Sequence, residues 1–171
     1  MNQIVKRYGL FAALTALAVA FDQWAKALAY GSLRTGGPLV LIKGVFELLY
    51  SENRGAAFGI LQGKQWFFFL VAFAVVVVIL LFLGRLPSGK RYVPLFVCMV
   101  LLSAGAVGNL IDRVTRGFVV DFFYFSLIDF PIFNVADCYV VVSAAALIFL
   151  TGFYYKEEEL SFLSGKKESK N

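Results

Sequence analysis

The chain has 171 residues, of which 60% are hydrophobic and none is histidine, and it carries a formal net charge of +5 at pH 7. Its mean hydropathy is +0.79, so its apolar content exceeds the roughly half that a soluble globular protein contains and can bury. The lack of histidine excludes Ser-His and Cys-His nucleophiles and histidine-ligated zinc. We therefore predict an integral membrane protein.

Four long, mainly apolar stretches follow one another along the chain, at 8–30, 66–83, 93–111 and 135–155. Each is close to the ~20 residues that a helix needs to cross a ~30 Å hydrocarbon layer. A spanning β-barrel would need short alternating segments, whereas "VAFAVVVVILLFLG" is continuous. The predicted fold is mainly α, with four transmembrane helices.

The first stretch has an alternative interpretation as a cleaved signal peptide. Lys6 and Arg7 precede it, and "ALA" at 27–29 resembles a cleavage site. The apolar region is too long for this interpretation, however, and Asp22 and Lys26 interrupt its end. We therefore expect a span. Both cysteines of the chain fall in predicted spans, which favours packing over a disulfide framework.

The loops between the spans differ in character. The link "GRLPSGKRY" is a plain turn, but the loops 31–65 and 112–134 are long and apolar. In the first long loop, "LVLIKGVFELLYS" has the β-branched and aromatic residues around a glycine that are typical of a small hairpin or sheet. We predict a single membrane domain, 1–155, and a solvated, charged tail, 156–171.

Basic residues predict the orientation. The side that carries the termini and the short link has nine Lys and Arg against four acids, whereas the other side has seven of each. The whole net charge of +5 therefore lies on the side of the termini. By the positive-inside rule we expect both termini, and the tail, to be cytoplasmic and the long loops to lie outside.

Ionisable and amide side chains gather at one predicted depth, near the outer boundary of the bilayer. Such groups are costly in or near a span and are functional candidates by default. Asp22 lies about 21 Å along the first span, and Lys26 lies one turn further on the same face. The other members are Asn109, Asp112 and Arg113 in "GNLIDR", Asp121 in "FVVDFFYF", and Asn134 and Asp137 in "FNVADC".

Two of these carboxylates can support hydrolysis. Two aspartates in a poorly solvated site share a proton, so one can take a proton from water while the other donates to a carbonyl oxygen. Asp121 has the apolar surroundings for this role, and Asp137 is a candidate partner.

Each residue also has a purely structural interpretation. Asn134 can cap the fourth helix, with Asp137 at its third position. Asp22 and Lys26 can be an interface ion pair, and Asp112 and Arg113 can be headgroup anchors. Gly105 and Gly108 can serve only close helix packing, and Asp121 can be an exposed turn residue. These interpretations do not explain why the ionisable and amide side chains all lie at one predicted depth in the membrane.

The motifs resemble those of the lipoprotein signal peptidase, or signal peptidase II, family. They are "DQWAK" at 22–26, "ENRGAAFGIL" at 52–61, "GAVGNLIDRVTRGFVVDFF" at 105–123 and "FNVADCYVVV" at 133–142. The resemblance implies a bacterial inner-membrane aspartyl endopeptidase that cleaves prolipoproteins just before a diacylglyceryl-modified cysteine. It also implies a small extracytoplasmic sheet that cradles the substrate, an active site near the outer membrane surface, and no cofactor or metal.

By this similarity Asp121 and Asp137 are the catalytic pair. Other positions are implied to bind substrate or shape its pocket, and they are Asp22, Lys26, Asn53, Gly55, Ala56, Gly105, Gly108, Asn109, Arg113, Asn134 and Ala136. The expected partners are the lipidated substrate and membrane lipid, without nucleic acid. We expect a monomer, although the seam 104–108 could serve helices within one molecule or between two.

Three rival functions make different predictions. A proton-relay transporter needs polar residues at several depths, which the second span and the middle of the third lack. A Ser-Lys protease would use Lys26 as base and Ser51 as nucleophile. A Mg²⁺ or Ca²⁺ enzyme would lose activity in EDTA.

Overall fold

A computed structural model describes residues 2–55 and 64–164. Within these residues, four helices are long and apolar enough to cross a membrane, at Gln3–Gly36, Gln65–Arg85, Lys90–Arg116 and Val135–Tyr154. They confirm the four predicted spans. We label the regular α-helices α1 (Gln3–Gly36), α2 (Gln65–Arg85), α3 (Val93–Arg116) and α4 (Val135–Phe149). A turn of 3-10 helix precedes α3 and a π-helical turn, Leu150–Tyr154, continues α4.

Helix α1 is longer than a bilayer is thick. Its 34 residues extend about 51 Å at ~1.5 Å per residue, against ~30 Å of hydrocarbon. Asn2 caps its start by accepting a hydrogen bond from the Ile4 amide at 3.2 Å. Only four of its side chains are buried, and these are Phe11, Asp22, Lys26 and Ala29. The remainder of the helix presents apolar side chains outwards, as a lipid-facing helix does.

Helix α3 is the centre of the bundle, and α1, α2 and α4 all pack against it. Two glycines make the contacts close. A Cβ at Gly105 would lie 2.6 Å from the carbonyl oxygen of Ala136, and one at Gly108 would lie 2.6 Å from the Asp22 carboxylate. Both distances are too short for a side chain, so these glycines do serve close helix packing.

A three-stranded antiparallel sheet closes one end of the bundle, in the order β1 (Leu39–Ile42), β2 (Phe46–Asn53) and β3 (Val119–Tyr124). The predicted hairpin is confirmed as β1 and β2, and its turn contains Gly44 at φ +70°. The third strand comes from the second long loop, in which the sequence analysis predicted no strand pairing. We call this end of the bundle the sheet end.

Strand β3 divides its side chains between two environments. Val120 and Phe122 join a hydrophobic cluster with Ala29 of α1 and Val135 of α4. Because successive side chains of a strand point to opposite faces, Asp121 points away from this cluster. In the register of the sheet, Asp121 lies opposite Ser51 of β2. The apolar neighbours in "FVVDFFYF" therefore anchor the strand that presents the carboxylate.

The chain after β3 returns to pair with the same strand. The amides of Phe122 and Phe123 donate to the carbonyl oxygen of Phe133 at 3.0 and 2.8 Å, and the amide of Phe133 donates to the carbonyl oxygen of Phe123 at 3.1 Å. This pairing brings Asn134, the residue before α4, next to β3. The second long loop therefore brings Asp121 of β3 close to Asn134 at the start of α4.

The opposite end of the bundle, which we call the terminal end, is held by arginine side chains. Arg7 of α1 donates to the carbonyl oxygens of Leu83 (3.0 Å) and Leu86. Arg91 bonds the carboxylate of Glu159 at 2.9 Å. Glu159 belongs to a helical segment, 157–164, whose Phe162 packs on the core. This part of the predicted tail is therefore folded onto the bundle, and 165–171 lie outside the described residues.

Candidate active site

A cleft of about 630 Å³ opens between the sheet, α3 and the start of α4. Asp121 and Asp137, the two aspartates predicted to be catalytic, both line it. Its other polar lining includes Asn53, Asn109 and Arg113, together with Ser51, Glu52 and Arg54 of the first long loop. Its apolar walls are formed by Phe68, Phe130, Pro131, Ile132, Phe133, Val140 and Val141. The cleft is thus a polar floor between aromatic and aliphatic walls.

Asp121 is 2% exposed, which excludes the interpretation as an exposed turn residue. Each of its carboxylate oxygens accepts a hydrogen bond from an amide side chain. Asn53 Nδ2 donates to Oδ2 at 2.9 Å, and Asn134 Nδ2 donates to Oδ1 at 2.6 Å. Two donors from different loops therefore fix the direction of this carboxylate.

Burial raises the pKa of Asp121 from its ordinary value to about 7. This value already includes the smaller rise caused by the negative charge of Asp137, and the lowering by the hydrogen bonds from Asn53 and Asn134, which favour the ionised form. A carboxyl group with this pKa exchanges its proton near neutral pH. General acid-base catalysis is most efficient with such a group.

Asp137 both caps α4 and enters the cleft. Asn134 Oδ1 accepts a hydrogen bond from the Asp137 amide at 3.0 Å, and Asp137 Oδ2 accepts one from the Asn134 amide at 3.1 Å. This reciprocal capping box confirms the structural interpretation of both residues. The second oxygen of Asp137 accepts a hydrogen bond from Asn109 Nδ2 at 2.8 Å. Capping therefore orients the carboxylate without removing it from the cleft.

Two amide side chains connect the aspartates. Asn134 Nδ2 is shared between Asp121 Oδ1 and Asn109 Oδ1, the latter at 3.1 Å, and Asn109 Nδ2 bonds Asp137. The Lys26 amino group donates to the same Asn109 oxygen at 2.8 Å. The amides thus link the two carboxylates to each other and to a buried lysine without placing that lysine against either of them.

Behind the cleft lies a buried cluster of charges. Lys26 Nζ is 2.9 Å from Asp22 and 3.4 Å from Asp112, and all three side chains are 0% exposed. Arg116 bonds the other oxygen of Asp112. Two cations therefore face two carboxylates. Asp112 Oδ2 also accepts a hydrogen bond from the Val120 amide at 3.0 Å, which anchors β3 one residue before Asp121 and excludes a headgroup-anchor role for Asp112.

Asp22 does more than pair with lysine, because its Oδ1 accepts a hydrogen bond from the Ala136 amide at 2.9 Å and so anchors the start of α4. Gln23, which the sequence analysis missed, donates to the Gly108 carbonyl oxygen at 3.0 Å and to Asp112 at 3.2 Å. Arg116 was also missed. Its only sequence signal was the i, i+4 spacing from Asp112.

Arg113 connects α3 to the first long loop. Its guanidinium donates to the carbonyl oxygens of Gly55 at 3.1 Å and Asn109 at 3.2 Å, and it lies 4.2 Å from the centre of the Phe68 ring. The Gly55 amide in turn bonds Asn53 Oδ1 at 3.0 Å. Arg113 thus holds Asn53 and its loop over the cleft rather than reaching out to a headgroup. Ala56, predicted to bind substrate, lies outside the described residues.

A second, apolar cavity of about 180 Å³ joins the cleft. It lies between α2 and α3 and shares Phe68, Asn109, Arg113 and Val140 with the cleft. Gly105 lines it together with aliphatic residues of both helices. The cleft therefore continues into a groove with hydrocarbon walls.

The predicted site residues thus fall into two layers. Asp121, Asp137, Asn53, Gly55, Asn109 and Arg113 line the cleft, and Gly105 lines the adjoining cavity. Asp22, Lys26, Gly108, Asn134 and Ala136 lie behind them and fix their positions through the contacts above. Within 2–55 and 64–164, no cluster of three or more His, Cys, Asp or Glu residues could hold a metal ion.

Comparisons with known proteins agree on one family. The family model for signal peptidase (SPase) II matches residues 14–153. The lipoprotein signal peptidase of Brevibacillus brevis is 42% identical over 142 residues, which cover 81% of this chain and 94% of that protein. The enzyme of the same name from Clostridioides difficile is 40% identical over 147 residues, which cover 85% of this chain and 96% of that protein.

The fold has a solved counterpart. A structure described as a bacterial membrane enzyme aligns with a TM-score of 0.73 and 32% sequence identity, and it covers 95% of this chain and 94% of its own. The similarity therefore extends over the four spans and the sheet. On the family model and these relatives, the chain belongs to the signal peptidase II family.

Proposed function

We propose that this member of the signal peptidase II family is an aspartic endopeptidase that cuts prolipoproteins just before the diacylglyceryl-modified cysteine. The observation that carries the proposal is the pair Asp121 and Asp137 in one cleft, linked through Asn134 and Asn109. The relatives' name, lipoprotein signal peptidase, supplies the substrate class.

In the proposed reaction the two aspartates carry one proton between them. The ionised carboxylate takes a proton from a water molecule, and the resulting hydroxide attacks the carbonyl carbon before the modified cysteine. The protonated carboxyl group gives its proton to the carbonyl oxygen, which forms a neutral tetrahedral diol. As the diol collapses, one of its hydroxyl groups gives its proton to the ionised carboxylate and becomes the carbonyl of the new carboxylic acid. The other aspartate gives its proton to the nitrogen, the C–N bond breaks, and the amine leaves. The pair ends with one proton, as it began.

The polar neighbours prepare the pair for this reaction. Asn53 and Asn134 hold Asp121, and Asn109 holds Asp137, so the carboxylates need not reorient during the reaction. No step calls for a metal or an organic cofactor, because the carboxylates act as both base and acid.

The substrate can enter from the membrane. The apolar cavity between α2 and α3 gives the acyl chains of the modified cysteine hydrocarbon walls where they approach the cleft. Asn53, Gly55, Ala56, Asn109 and Arg113 are proposed to contact the substrate. The remaining predicted residues, which are Asp22, Lys26, Gly105, Gly108, Asn134 and Ala136, are proposed to shape the site.

The proposal includes an orientation. The excess of basic residues at the terminal end supports cytoplasmic termini, with the sheet end at the outer surface of the bacterial inner membrane. A substrate helix anchored in the same membrane would then present its cleavage point at the depth of the cleft. The cleft is formed within one chain, so we propose that a monomer suffices.

The first test is a gel-shift cleavage assay on a diacylglyceryl prolipoprotein, with variants matched for abundance in membranes. Asp121→Asn and Asp137→Asn should each abolish cleavage. The matched control is Asp129→Asn, because Asp129 is an exposed aspartate of the same loop at φ 47°, a conformation that asparagine tolerates. Cleavage at near the parental rate by either dyad variant would refute the mechanism. A Ser51→Ala variant that still cleaves would exclude the Ser-Lys alternative.

A further inference from the structure

A separate cavity, of about 330 Å³, lies at the terminal end of the bundle, far along the helices from the cleft. It is an open cavity bordered by the first turns of α1, the link between α2 and α3, and the first turns of α3. Its residues are Gln3, Lys6, Arg7, Leu10, Leu86, Pro87, Ser88, Gly89, Tyr92, Val93 and Phe96. None of them takes part in the site described above.

The cavity carries positive charge that no carboxylate offsets. Arg7 donates to two carbonyl oxygens and, at 3.0 Å, to Ser88 Oγ, all of which are neutral. The Lys6 amino group is exposed and has no hydrogen-bond or ion-pair partner among the described residues. No Asp or Glu lines the cavity. Two full cations therefore border it.

The remainder of the lining is apolar and lies where a lipid would. Leu10 and Val93 are 55% and 51% exposed, and with Phe96 they form a hydrocarbon wall that continues along α1 and α3. The polar residues lie in the first turns of α1 and on the link, at the ends of the spanning helices, which is the depth of the headgroups. Tyr92 at the rim is typical of that interface.

We infer that this cavity binds an anionic phospholipid of the surrounding bilayer. The phosphate lies between Lys6 and Arg7, and the beginning of an acyl chain lies along Leu10, Val93 and Phe96. Charge complementarity identifies the headgroup, since basic pockets between spanning helices recognise anionic lipids. The apolar wall identifies a lipid as the occupant, because a free phosphate ion would leave that wall without a partner.

Native mass spectrometry of the full chain in detergent tests the proposal. Phosphatidylglycerol should bind in preference to phosphatidylcholine with the same acyl chains. Lys6→Gln should weaken phosphatidylglycerol binding about fivefold, the effect of one basic residue near the headgroup. The matched control is Arg85→Gln, because Arg85 is exposed at the same end but does not line the cavity. It should change binding less than twofold.

A second variant tests the cavity rather than its charge. Leu10→Trp fills the space at an exposed position without altering any charge, and it should also weaken binding. Equal losses in Lys6→Gln and Arg85→Gln would overturn the site in favour of general surface attraction. So would equal binding of the two lipids, unchanged binding by Leu10→Trp, or displacement of the lipid by inorganic phosphate. Parental cleavage activity in all variants verifies folding, since the cleft is at the sheet end.

Discussion

Replacing Asn53 with alanine should raise the pH at which the enzyme loses activity. In the proposed mechanism the dyad is active with one proton, and it loses that proton as the pH rises through the pKa of Asp121, about 7. Asn53 donates to Asp121 at 2.9 Å and so favours the ionised form. Without this donor the proton is held more tightly. Because the proton that is lost is the one on Asp121, the alkaline limb of the activity profile moves upwards.

The size of the shift follows from the hydrogen bond that is lost. A hydrogen bond to a charged group contributes ~1.5–3 kcal/mol, and 1.36 kcal/mol corresponds to one pKa unit, so full loss would shift the limb by roughly 1 to 2 units. Asn53 lines the open cleft, where water can replace part of the lost hydrogen bond. We therefore expect a shift of about one pH unit.

The assay is the pH dependence of kcat/KM on a diacylglyceryl substrate peptide, which reports the free enzyme. Asn53 also accepts a hydrogen bond from the Gly55 amide, so a general loss of rate alone is not informative. The position of the limb is the readout. Asp129→Asn should leave it unchanged, because Asp129 bonds only Tyr124 among the described residues. A limb that stays in place or moves downwards in Asn53→Ala would refute the reasoning.

Three further predictions concern the support of the site. Lys26→Met leaves Asp22 and Asp112 buried without their ammonium partner and should destabilise the fold by ~3–5 kcal/mol, seen as a lower unfolding temperature in detergent. Gly108→Ala places a Cβ 2.6 Å from Asp22 and should lower stability and cleavage, whereas Gly9→Ala, which meets no atom within 4 Å, should do neither. Cleavage should persist in EDTA, and its loss on chelation with recovery on adding Mg²⁺ would contradict the metal-free mechanism.

The sequence predicted the number and positions of the spanning helices better than the residues at which they begin and end. The second apolar stretch, 66–83, corresponds closely to α2, Gln65–Arg85. The first stretch, 8–30, is much shorter than α1, Gln3–Gly36. Hydropathy detects only the part of a helix that lies in hydrocarbon, whereas backbone hydrogen bonds can continue the helix through the interface. Helix α1 ends at Gly36, and the next residue, Gly37, has a φ of +78°, which does not continue a right-handed helix.

The candidate site was predicted in part, because some of its members have local sequence signals and others do not. Asp22 and Lys26 are recognisable from their i, i+4 spacing, and they do form an ion pair. The bond from Asp22 to the Ala136 amide joins residues 114 positions apart, and no local pattern encodes it. Gln23 was missed for the same reason, since its partners lie on α3.

Amides rather than cations surround the candidate carboxylates, and this choice has a physical consequence. The positive charge of Lys26 lowers the pKa of Asp121, but less than the hydrogen bonds from Asn53 and Asn134 do. Lys26 is paired with Asp22 and Asp112 and reaches the dyad only through Asn109. A cation bonded directly to Asp121 would favour its ionised form and release the shared proton below neutral pH. By placing an uncharged amide in between, the chain orients the carboxylate firmly and still leaves burial to hold its pKa near 7.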